Sequence, residues 1–143
     1  MIIKKIYSRI DEQKLLHIVV KNQKIDFVRK EIVPANNFIQ CSLLNLEKGK
    51  TFQPHKHIFK KRSYEKQIAQ ESWIVVSGKV KCIFYDVDDS IIHEAVLVPG
   101  EASFTLEGGH NYEILESNTF VYEYKTGPYE GQKNDKVFIE GSN

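Results

Sequence analysis

His55 and His57 stand one residue apart, just after Pro54. In an extended chain, residues two apart point to the same side, so both imidazoles can address one ion. Neutral imidazole ligates iron, nickel, copper and zinc. An added carboxylate hardens the set toward iron or manganese and offsets part of the ion's charge. Glu71 can supply that carboxylate, with Glu65 as the competing residue. His110 follows Gly108-Gly109, where the missing side chains let the backbone turn tightly and aim the imidazole inward. The expected centre is one divalent metal ion (Fe, Mn, Ni or Zn) held by His55, His57, Glu71 and His110. A lone His-x-His equally describes two solvated strand histidines; the four residues taken together separate the two readings.

Other chemistry-bearing residues read less sharply. The basic run Lys60-Lys61-Arg62 fits a solvated loop, and beside it Arg62 and Tyr64 can reach over a bound anion, where a guanidinium fork suits carboxylate or phosphate. Trp73 and Tyr112 read as core packing or as the wall of a substrate pocket. His17 and His93 lack a partner at ligand spacing and read as surface or strand-face histidines. Cys41 and Cys82 lie in strand-like segments with no Cys-x-x-Cys, so they read as buried thiols, not as a disulfide framework or a zinc site.

The elements that must position these residues are mainly β. Runs of β-branched and aromatic residues recur at Leu16 to Val20, Ile25 to Val28, Phe38 to Leu46, Ser72 to Val76, Lys79 to Tyr85, Ile91 to Val98, Ala102 to Leu106, Tyr112 to Leu115 and Thr119 to Tyr124. Turn residues such as Ser77-Gly78, Asp86 to Ser90 and Pro99-Gly100 punctuate them. Asp11 can cap a short helix over Glu12 to Leu16, Ile2 to Tyr7 reads as an early strand, and a late strand is expected at Val137 to Ile139. Alternation puts Val80, Cys82 and Phe84 on one face, and it aligns Glu71 with Trp73 and Val75. A carboxylate in that row needs a partner.

Gly49, His55, His57, Glu71 and Gly78 together resemble the first motif of the cupin superfamily, and Gly100, Gly108 and His110 its second. Here Ile58 to Gln70 reads as an inserted loop between the histidine pair and the glutamate. The resemblance implies an all-β, cupin-type double-stranded β-helix (a jelly-roll barrel), one domain over residues 1–143, and a homodimer built through early strands. Gly127-Pro128-Tyr129 before Asp135-Lys136 is further similar to small stand-alone cupins associated with bacterial surface-polysaccharide or sugar-nucleotide genes.

The bulk properties agree with a small-molecule role. The chain has 143 residues, 41% hydrophobic and 27% charged, with a formal net charge of +1, which gives no broad electrostatic footprint for nucleic acid or membrane. No apolar run approaches the roughly 20 residues of a spanning helix, and the first residues lack a signal-peptide pattern, so a cytoplasmic protein is expected. The leading expectation is a metal-dependent enzyme of isomerase, epimerase or dioxygenase type acting on a small polar or sugar-like substrate. The alternatives are a non-catalytic sugar- or metabolite-binding module and a metal-free isomerase using His55 or His110 as a base.

Overall fold

Residues Leu16 to Val20 are all buried, although alternate side chains of a strand point to opposite faces. This strand must therefore lie between two apolar layers. In the computed structural model, which describes residues 2–21, 27–56, 68–127 and 131–139, it does. The described residues form β1 (Ile2–Tyr7), β2 (Leu15–Lys21), β3 (Arg29–Glu31), β4 (Ser42–Leu44), β5 (Glu71–Ser77), β6 (Val80–Tyr85), β7 (Ile91–Leu97), β8 (Ala102–Thr105), β9 (Gly109–Ile114), β10 (Phe120–Lys125) and a one-turn helix α1 (Gln132–Asp135). All strand pairings are antiparallel.

The larger sheet runs β1-β2-β8-β5-β10 and the smaller β7-β6-β9, with β3-β4 as a separate pair. Between the two main sheets lies a core of Ile6, Val19, Val75, Val80, Cys82, Phe84 and Leu97. The other face of the larger sheet presents Ile18, Val20, Ala102, Phe104 and Leu106, which Ile32, Val33, Ile39, Cys41 and Leu43 cover. Gln70 fastens that cover. Its side chain accepts from the Ile39 amide at 2.9 Å and donates to Asn37 Oδ1 at 3.1 Å and to the Leu106 carbonyl at 3.3 Å.

The all-β expectation holds, and most strands lie where β-branched runs placed them. Among the described residues β1, β10, β7 and β9 keep one unpaired edge each, so the sheets do not close into a barrel. The expected helix over Glu12 to Leu16 is instead a tight turn leading into β2. Lys14 N bonds the Asp11 carbonyl at 2.8 Å, and the Ser8 hydroxyl accepts from the amides of Ile10 and Asp11. Ser8, not Asp11, is the capping residue, and burial of Leu16 and Ile18 on a sheet outweighs five residues of helical spacing. The strand expected over Phe38 to Leu46 shrinks to Ser42–Leu44, because Asn37 turns back on Pro34 at 3.1 Å. Ile25 and Asp26 lie outside the described residues, and the strand in that region is Arg29–Glu31. The late strand at Val137 to Ile139 does not form. Residues 136–139 follow α1 outside any strand, and Val137 and Phe138 are exposed.

Candidate functional site

Antiparallel register places Glu71 of β5 beside Thr105 of β8 and Lys125 of β10, and Thr105 beside His17 of β2. Directly paired residues share a face, so His17, Thr105, Glu71 and Lys125 form one polar row on the inner side of the larger sheet. On the smaller sheet His110 pairs with Phe84, and Phe84 with His93. The two rows meet where Glu71 Oε1 lies 3.2 Å from His110 Nε2. The buried carboxylate anticipated in line with Trp73 and Val75 thus finds its partner on the opposite sheet.

Trp73 Nε1 donates to Glu71 Oε1 and to Glu123 Oε2, each at 3.1 Å, and its ring stacks on Tyr112 with centroids 3.9 Å apart. Tyr112 Oη is 3.3 Å from Ser103 Oγ, and burial raises its phenol pKa. Burial also acts to raise the pKa of Glu71. The hydrogen bond and charge of His110, the Trp73 N–H and the charge of Lys125 together outweigh burial and hold the carboxyl below its usual range. His110 Nδ1 is buried with no hydrogen-bond partner among the described residues.

Of the expected metal ligands, Glu71 and His110 are therefore brought together. His55 is exposed on the loop before residue 57, its Nδ1 3.0 Å from the Gln53 carbonyl oxygen, and does not join them. His57, Arg62, Tyr64 and Glu65 lie outside the described residues. Among the described residues, no three His, Cys, Asp or Glu side chains are grouped so as to hold a metal ion. Trp73 and Tyr112 stack on each other beside Glu71.

His17 is a strand-face histidine, as expected, but a buried one and not a surface one. It is wholly buried, with Nε2 3.0 Å from the Tyr85 carbonyl and Nδ1 3.2 Å from Thr105 Oγ1. Burial, opposed by the Tyr85 bond, lowers its pKa to about 4, so it is neutral at pH 7. The carbonyl accepts, which puts the ring proton on Nε2 and makes Nδ1 the acceptor of the Thr105 hydroxyl. Cys82 is buried as expected, with its pKa pushed up to about 12 by burial, whereas Cys41 is only half-buried. Glu123, Lys125 and Thr105 were not singled out from sequence. The available signal was the two-residue spacing of Glu123 and Lys125, which sets both on one face of β10.

No family model, no curated protein and no solved structure matches the chain. No helix among the described residues is long and apolar enough to cross a membrane.

Proposed function

We propose that the chain is a cupin-type jelly-roll protein in which one divalent ion binds Glu71 and His110, with His55 and His57 moving in to complete the set when the ion binds. The observation that carries this reading is the 3.2 Å separation of Glu71 Oε1 and His110 Nε2. Two ligands at about 2.1 Å from one ion, at angles between a right angle and tetrahedral, stand roughly 3.0–3.4 Å apart. The surroundings fit a cation. Glu123 adds a second carboxylate at the Trp73 indole. Bound there, the ion would supply Lewis-acid polarisation of a carbonyl or hydroxyl or, as iron, dioxygen chemistry. The substrate class is a small polar or sugar-like molecule lying against the Trp73–Tyr112 wall, transformed by an isomerase, epimerase or dioxygenase step. A cytoplasmic homodimer completes the proposal.

A second reading draws on the direct Glu71–His110 contact. A carboxylate accepting from an imidazole N–H orients the ring and raises its basicity, so a metal-free site can use the other nitrogen of His110 as a general base. Calorimetric titration of EDTA-treated protein with Mn, Fe, Ni and Zn salts separates the two. One-site binding lost in Glu71→Ala and in His55→Ala supports the metal centre. Turnover of a nucleotide sugar by the EDTA-treated protein, abolished in His110→Ala, supports the acid–base site in its place.

A further inference from the structure

The C-terminal segment is fastened to both sheets beside the Glu71–His110 pair. Asp135, at the end of α1, accepts from Lys125 Nζ at 2.8 Å, and the two side chains are only 12% and 19% exposed. Lys125 is the register neighbour of Glu71 on β10. Four residues further on, Ile139 sits so close to β9 that a Cβ on Gly109 would collide with Ile139 Cδ1. Gly109 immediately precedes His110. The chain from Asp135 to Ile139 therefore passes from the edge of the sheet carrying Glu71 to the edge of the sheet carrying His110. Four residues reach at most about 14 Å, and packed sheets stand about 10 Å apart, so this crossing has little slack.

We propose that residues 131–139 form a strap beside the Glu71–His110 pair, latched by Asp135 on Lys125 and by Ile139 over Gly109, and that opening a latch widens access to His110, whose side chain is 25% exposed with both latches closed. The proposal rests on reading that pair as the ligand-binding site. Between the anchors, Val137 and Phe138 are 91% and 77% exposed. The middle of the strap thus contributes little burial, which places the segment at the easily opened end of local stability.

Carbethoxylation of histidine by diethyl pyrocarbonate, followed residue by residue by mass spectrometry on the EDTA-treated full chain, tests the strap. His110 is expected to react at least fivefold faster in Asp135→Asn and in Ile139→Ala than in the wild type, and to stay within twofold in Val137→Ser. His17, wholly buried with both ring nitrogens hydrogen-bonded, reports an intact fold by remaining unreactive, and Lys125→Gln opens the first latch by a second route. Rates at His110 within twofold of wild type in Asp135→Asn, Lys125→Gln and Ile139→Ala, with His17 still protected, would overturn the strap. Metal content read on the same preparations keeps the two proposals apart. Absence of metal would remove the metal centre, yet access to His110 would still be decided by the modification rates.

Discussion

A single oxygen of Glu71 lies 3.2 Å from His110 Nε2 and 3.1 Å from Trp73 Nε1, so one carboxylate ties β5 to β9 across the interior and anchors the indole beside it. Everything proposed for the site follows from this carboxylate being ionised, enclosed and shared.

Trp73 is the only tryptophan of the chain, which makes its fluorescence a report from the site itself. Manganese or nickel added to EDTA-treated protein is expected to quench that emission and to saturate at about one equivalent. In Glu71→Ala the saturable phase disappears and only weak collisional quenching remains. Saturable quenching unchanged in Glu71→Ala would place the ion elsewhere.

The buried neutral His17 predicts a pH dependence of stability. Its folded pKa of about 4 lies below the ordinary 6.5, so the folded state resists a proton that the unfolded chain accepts. The contribution is complete above pH 6.5 and is lost as the pH falls toward 4, by about 3 kcal/mol. His93 is shifted the same way, by burial first and then by Lys4, and adds to the same window. Urea midpoints measured between pH 7 and pH 4.5 are expected to fall steeply in the wild type and less steeply in His17→Gln.

Asp86 predicts a fold-level effect away from the site. Its carboxylate accepts from Ser8 Oγ at 2.6 Å, Arg9 N at 2.6 Å and Val87 N at 2.7 Å, joining the β1–β2 turn to the β6–β7 turn. Burial acts to raise its pKa, and these bonds together hold it below the usual range. Asp86→Asn is expected to cost about 2–3 kcal/mol in urea unfolding. Ser8→Ala should cost less, and the double variant less than the sum, because the two residues share one network.

Phe84 is fully buried, with ring centroids 4.8 Å from His17 and 6.3 Å from His93. Phe84→Ala is expected to destabilise by about 3–5 kcal/mol, and Phe84→Leu by less, since the leucine fills part of the cavity. Equal losses for the two would mean that ring contacts, not volume, dominate there.

Legibility from sequence followed the physics of each signal. Strands such as β6 and β7 were readable because alternation and turn residues coincide: Val80, Cys82 and Phe84 are all buried, and Asp86 to Ser90 closes their hairpin with Asp86 N on the Ser90 carbonyl at 2.8 Å. The pairing of Glu71 with His110 was anticipated as a need for a partner, but the strand register that satisfies it is non-local and cannot be read from either segment alone. For the same reason, the burial of His17 was not legible. Its two partners, Tyr85 and Thr105, come from strands distant in sequence. The helix expected after Asp11 failed because five residues of local pattern are outweighed once Leu16 and Ile18 are buried on a sheet.

The central claim is that Glu71 and His110 hold an ion together with His55 and His57, and elemental analysis of the freshly purified chain tests it most directly. The account predicts about one equivalent of iron, manganese, nickel or zinc, sharply reduced in Glu71→Ala, His110→Ala and His57→Ala. No metal in the fresh protein, and none retained after incubation with these ions, would contradict it.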